Sequence, residues 1–233
     1  YISSLIQAPQ RGIIAASIAP LSKAWKDKDY DKIKLIYQRS SINQLLFSVG
    51  MFVLIWINFK DGVATFDLKK DYLEAQYIFL FIGLTKVIDM GTGLNSQIIV
   101  TSTFWRFDFF TGILLLAITL PLNYVLAKKL GAIGPAIADL VTFTIYNAIR
   151  YLFLFRKFGM QPFNAKTVYT LLAGFTSYLL CHYLFYEHYG FLWIFLRSAT
   201  FIFLYLFEVI NFGLSPDVIP VWNTIKKRLG IKS

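Results

Sequence analysis

The sequence predicts an all-α, polytopic integral membrane protein, built from about seven transmembrane helices. Three observations predict it. Of the 233 residues, 57% are apolar and only 15% charged, against roughly 45–50% and 25% in soluble proteins, and the mean hydropathy is +0.57. Seven long apolar stretches run along the chain, each near the 20 or so residues that cross a bilayer core of about 30 Å. The basic residues fall in alternate connections between them.

In order, the first stretch, 4–20, carries Gln7, Gln10 and Arg11 on a polar face, with Pro9 expected to bend it. The segment from Lys23 to Arg39 mixes both charge signs with apolar residues at helical spacing. It reads as an amphipathic surface helix or equally as a solvated hairpin. The second span, 42–58, is short but almost unbroken from Leu45 to Ile57. Spans three to five follow at 77–99, 109–127 and 132–155. Residues 158–167, with Gly159, Pro162 and Asn164, form a linker. A last pair of spans occupies 168–184 and 191–212. The chain thus divides at the linker into 1–157, with five helices, and 158–233, with the linker, a final pair of helices and a basic tail.

Orientation follows from the Lys and Arg count. One side holds Lys23, Lys26, Lys28, Lys32, Lys34, Arg39, Arg106, Arg156, Lys157, Lys166, Lys226, Lys227, Arg228 and Lys232, 14 in all; the other holds 5, namely Lys60, Lys69, Lys70, Lys128 and Lys129. The richer side, with the C-terminus, is expected to face the cytoplasm. The net charge of +10 then serves topology, and nucleic acid is not an expected partner.

Charges inside the spans mark the candidate site, because an ionisable group in hydrocarbon must face protein or a water-filled cavity. In the third span Thr85, Asp89, Thr92 and Ser96 fall within about 60° of one another, with Asn95 alongside. Lys86 can pair with Asp89 at i,i+3. Gly91 and Gly93 flank Thr92, so a hinge or local unwinding is expected there, as in the broken helices that line transporter cavities. The alternative is an internal salt bridge with two close-packing glycines. In the first span Arg11 shares a face with Ser4 and Gln7; it suits a phosphate, or it pairs with Asp89. Asp139 follows the small-residue run Gly131-Ala-Ile-Gly-Pro-Ala-Ile-Ala138 and reads as a packing partner or a proton carrier. Arg150 is expected to snorkel to the interface, Arg197 and Glu208 to lie on a peripheral helix, and Pro121 with Asn123 to form a kink and its compensating hydrogen bond.

No enzyme is expected: there is no paired-carboxylate motif, phosphate loop or nucleophile elbow, and no cofactor or metal motif. Cys181 is the single cysteine. His182 and His188 sit among Tyr183, Tyr186 and Tyr189 with Glu187, which reads as an interfacial aromatic belt rather than a weak metal site.

Several runs together resemble a family. Ile6-Gln-Ala-Pro-Gln-Arg-Gly-Ile-Ile14 with Ala19-Pro-Leu-Ser22 and the charged loop after it looks like the eighth helix of the polysaccharide-biosynthesis flippases of the MOP exporter superfamily. Leu120-Pro-Leu-Asn-Tyr124 through Leu130 to Ala138 is similar to the passage between that family's eleventh and twelfth helices, and Gly91-Thr-Gly-Leu-Asn95 with Thr101-Ser-Thr-Phe-Trp-Arg106 to its tenth helix and following turn. The likeness is greatest to the lipopolysaccharide and O-antigen branch. It implies that the seven spans are helices eight to fourteen of a longer protein in the bacterial inner membrane, whose N-terminal lobe is a partner missing from this sequence. By the same likeness, 1–157 would be an incomplete C-terminal transporter lobe and the last pair of spans accessory helices. It also implies that undecaprenyl-pyrophosphate-linked oligosaccharide is carried by alternating access, with Arg11, Lys86, Gln7 and Asn95 as substrate-binding residues, Asp89 and Asp139 in ion coupling or the cavity, and Gly91 and Gly93 as hinge. The chain alone should not transport. A drug or metabolite antiporter of the same fold, with Asp89 as ion switch, and a membrane glycosyltransferase or O-antigen polymerase are the competing classes.

Overall fold

A computed structural model describes residues 2–68, 71–218 and 220, side chains at 71, 72 and 74 excepted. Lys69, Lys70 and the basic tail from Lys226 to Lys232 lie outside the described residues. A 3-10 turn, Ile2–Gln7, leads into α1 (Gln10–Lys26), α2 (Tyr30–Thr65), α3 (Asp71–Gly91), α4 (Asn95–Val100), α5 (Trp105–Leu130), α6 (Ile133–Phe158), α7 (Ala165–Leu184) and α8 (Phe191–Asn211). Among the described residues, four helices are long and apolar enough to cross a membrane: α2, α5, α6 and α8. The protein is therefore read as an all-helical membrane protein. Helix α1 is shorter, at 17 residues, and α3 carries Asp71, Glu74, Lys86 and Asp89.

The stretch 4–20 is not one bent helix. Pro9, which lacks an N–H, stands between the 3-10 turn and the first turn of α1, and the chain restarts there. Pro20 is the proline carried inside α1. The charged Lys23–Arg39 segment is not a separate surface helix but the tip of a helical hairpin: α1 runs to Lys26, a turn at 27–29 follows, and α2 begins at Tyr30. Lys28 takes a left-handed φ of 55°, and the Asp29 carboxylate caps α2 by accepting from the Lys32 N–H at 3.0 Å. The 36 residues of α2 reach about 54 Å at 1.5 Å per residue, longer than a bilayer core. Its charged first turns therefore stand beyond the apolar part.

The basic connections meet at one end of the bundle. Trp25 donates to the Ile98 carbonyl at 2.9 Å and packs edge-on against Phe158 and Tyr30. Lys157 lies over the Phe104 ring, and Gln38 donates to the Gln161 carbonyl. Helix α6 ends at Gly159 with φ 64°, and α7 begins with Asn164 and Thr167 in a reciprocal capping box. Helices α7 and α8 pack along α2. A Cβ on Gly174 would lie 2.4 Å from Val49, and the Tyr205 hydroxyl donates to the Leu46 carbonyl at 2.9 Å.

Apolar clusters fill the interior around α2 and α4, but on α5 the large apolar side chains face outward. On α5 the exposed residues include Phe109, Phe110, Leu116, Leu120 and Tyr124, while the one buried residue is Thr111. This suits a helix bathed in hydrocarbon. The run after Gly131 packs closely, as its small residues predict: a Cβ on Gly134 would lie 2.2 Å from the Leu126 carbonyl oxygen. Pro121 lies inside a continuous α5, and the Asn123 side-chain oxygen is buried without a partner among the described residues. Among them the compensating bond expected of it is absent.

Candidate functional site at the α3–α4 break

Helix α3 ends at Gly91 and α4 starts at Asn95, so the third predicted span is interrupted at the two glycines. Gly93 has φ +66°, which a side chain rarely tolerates, and a Cβ there would lie 3.0 Å from the Ser41 backbone. The orphan Gly91 carbonyl at the end of α3 is met by Ser41 Oγ on α2 at 2.5 Å. A helix end inside a bundle needs such a partner.

Around the break lies a polar network. Asp89 Oδ2 accepts from Gln7 Nε2 at 3.2 Å and from Gln10 Nε2 at 3.0 Å. Asp89 Oδ1 accepts from Asn147 Nδ2 at 3.3 Å. Asn147 Oδ1 in turn accepts from Thr92 Oγ1 and Asn95 Nδ2, both at 2.9 Å. Asn95 Oδ1 takes the Ser96 N–H at 2.6 Å, and Ser96 Oγ reaches Asp108 Oδ1 at 3.2 Å. Asp108 pairs with Arg150 at 2.5 Å. The Arg150 guanidinium lies 3.7 Å from the Tyr146 ring centroid and donates to its hydroxyl. The chain of contacts joins the 3-10 turn, α1, α3, α4, α5 and α6.

Of the residues singled out from the sequence, Gln7, Asp89, Asn95, Gly91 and Gly93 are brought together here. Sequence and structure part company at three cations and a carboxylate. Asp89 is held by three amides, so neither the Lys86–Asp89 pair nor an Arg11–Asp89 pair forms; glutamine Nε2 atoms occupy the oxygen that Arg11 would have taken. Arg11 is exposed and Lys86 half-buried, and neither has an ion-pair partner among the described residues. Arg150 does not snorkel: it is 5% exposed because Asp108 and Tyr146 hold it inside. Asp139, half-buried, lies outside the network, and its carboxylate has no partner among the described residues.

Asn147 and Asp108 were not singled out from the sequence. Asn147 stands three residues before Arg150 and eight after Asp139, on the same α6 face, which was a usable signal. Asp108 sits at the mouth of a span and reads as loop. The second ion pair among the described residues, Arg197 with Asp61 at 3.4 Å, is buried between α2 and α8, so Arg197 is no peripheral charge. Glu208 accepts from Thr176 on α7. No group of three or more metal-binding side chains occurs among the described residues.

No family model, no curated protein and no solved structure matches this chain.

Proposed function

We propose that this chain is the C-terminal part of a lipid-linked oligosaccharide flippase of the bacterial inner membrane, with α3 and α4 acting as one broken span and seven crossings in all. The observation that carries the reading is the helix break at 92–94, closed over a buried polar network rather than over apolar packing. Irregular backbone at membrane depth is stable only where protein or a cavity satisfies it, and transporters place substrate and ion sites at such breaks.

Arg11 follows Gln10, and Lys86 lies one turn before Asp89, so two cations with no ion-pair partner among the described residues bracket a carboxylate held only by amides. An idle charge in a span costs about 2.5–3.5 kcal/mol on insertion scales. A lipid pyrophosphate entering from a facing N-terminal lobe would neutralise both, and the planar fork of arginine can grip it in two places. Gln7 and Asn95 would present amides to the same ligand, and Gly91 would let α3 bend between inward and outward forms. The basic end of the bundle is the cytoplasmic one on this reading. Asp89 favours one alternative, an antiporter of the same fold in which this carboxylate exchanges a cation.

The test is restoration of surface polysaccharide in a flippase-deleted cell by the complete gene product. Arg11→Gln with Lys86→Gln should abolish restoration at normal membrane level, and Arg11→Lys should recover only part of the single-site loss. Full restoration by the double variant would overturn the assignment.

A further inference from the structure

At the end opposite the basic turns, α2, α3, α7 and α8 enclose a cavity of about 350 Å3. That is the space of about a dozen waters and lies within the range of small-ligand sites. Its wall is aromatic: Trp56 from α2 and Tyr178, His182 and Tyr186 from α7 and the turn after it. His182 stacks on Tyr178 at 5.8 Å and meets Tyr186 edge-on at 6.0 Å, so the three rings form one surface.

The floor is rigid. Arg197 donates to Asp61, to the Ile57 carbonyl and to the His188 carbonyl at 2.7 Å. Asp61 also accepts from the Gly190 N–H at 3.0 Å and from Thr65. The ion pair therefore clamps the α7–α8 turn to α2, and its own charges are satisfied. Lys60 and Glu187 face the same cavity with opposite signs, so the lining carries no net charge to attract an ion. Glu187 is held at φ +60°, a conformation that costs a non-glycine residue free energy and persists where the surroundings enforce it. Gln76 lines the cavity from α3 at 8% exposure, and its amide has no hydrogen-bond partner among the described residues.

An aromatic wall, an unpartnered amide, a rim with one donor charge and one acceptor charge, and zero net charge define a neutral ligand with one apolar face and many hydroxyls. We infer that this cavity binds a pyranose ring of a neutral saccharide, its C–H face on Tyr178 and Trp56 and its hydroxyls on Gln76, Lys60 and Glu187. The inference stands apart from the pyrophosphate site, which lies at the helix break and calls for cations.

The test titrates the complete gene product in lipid nanodiscs with the methyl glycosides of glucose, galactose and N-acetylglucosamine, read by saturation-transfer NMR and by tryptophan emission. At least one glycoside should bind saturably. Binding should weaken tenfold or more, about 1.4 kcal/mol, in Gln76→Leu and in Tyr178→Ala. It should hold in Tyr178→Phe, which keeps the ring, and in Tyr183→Ala, a residue 84% exposed and outside the cavity. Arg11→Gln with Lys86→Gln should bind the glycoside as the unaltered protein does, so a failed transport assignment leaves this result readable. No saturable binding of any glycoside, binding that survives both Gln76→Leu and Tyr178→Ala, or displacement by inorganic pyrophosphate would overturn the inference.

Discussion

Replacing Asn147 by leucine removes the polar atoms that tie α6 to the α3–α4 break while keeping the branched outline of the side chain. Asn147 is 1% exposed, accepts from Thr92 and Asn95 at 2.9 Å and donates to Asp89 at 3.3 Å. In the variant Thr92 keeps its bond to the Asp89 carbonyl at 2.8 Å, and Asp89 keeps Gln7 and Gln10. The Asn95 amide loses its acceptor. Interhelical hydrogen bonds in membranes average about 0.6 kcal/mol and reach about 1.7, and an orphaned buried donor costs about 1–3 kcal/mol. Three interhelical bonds are lost; two at about 0.6 kcal/mol each and the orphaned Asn95 donor at about 1–3 kcal/mol give a destabilisation of about 2–4 kcal/mol. Reversible unfolding in mixed detergent micelles, with helicity followed against denaturing detergent, measures it. A loss under about 0.5 kcal/mol would refute the view that this network holds the break in place.

Four further outcomes follow from the same contacts. Asp108→Leu leaves Arg150 buried and unpaired and should cost about 3–5 kcal/mol, whereas Asp108→Leu with Arg150→Met should recover most of that; equal losses in single and double variants would deny the pair. Gly93→Ala should lower stability by about 1–2 kcal/mol because of its positive φ, while Gly91→Ala meets only the Leu45 side-chain end at 3.0 Å and should fold normally yet slow transport. Gly134→Ala, whose Cβ would strike the Leu126 carbonyl at 2.2 Å, should prevent normal α5–α6 packing, seen as lost membrane accumulation and heightened protease sensitivity. A cysteine at Lys28 should resist an impermeant thiol reagent outside intact cells and one at Glu187 should react; the reverse pattern would invert the topology.

The fold was legible where apolar length and helix-breaking residues coincide. Gly91, Gly93, Gly131 and Gly159 each mark a real interruption, and the last three have positive φ in the structure. In the first span Pro9 reads as a bend within one helix, where the chain in fact stops and restarts, and α2 was cut short because the Tyr30–Arg39 turns are charged, although charge stops membrane insertion and not helix. Side-chain partners were the hardest part. From the sequence, Asp89 seeks the nearest cation, Lys86; in three dimensions the cheaper solution is neutral amides from Gln7, Gln10 and Asn147, because an amide donates to a carboxylate without bringing a second charge into the low-dielectric interior. That choice depends on helices far apart in sequence, so periodicity within one helix could not reveal it.

The placement of charge along the bundle has a mechanical consequence. Asp108–Arg150 lies near the basic end and Asp61–Arg197 near the other, each a pair with both partners fixed. Between them Asp89 sits at the broken helix with hydrogen-bond donors but no counter-cation among the described residues. Moving a paired charge requires breaking a bond that costs several kcal/mol in a low dielectric. Moving the amides around Asp89 exchanges bonds of about 0.6 kcal/mol each. The two ends are therefore stiff and the middle exchangeable, and the glycine break stands where the cost of rearrangement is lowest. On the proposed function, a conformational change that bends α3 at residues 91–93 would swap Gln7 and Gln10 for a cationic or protonic partner at Asp89 without unfastening either end.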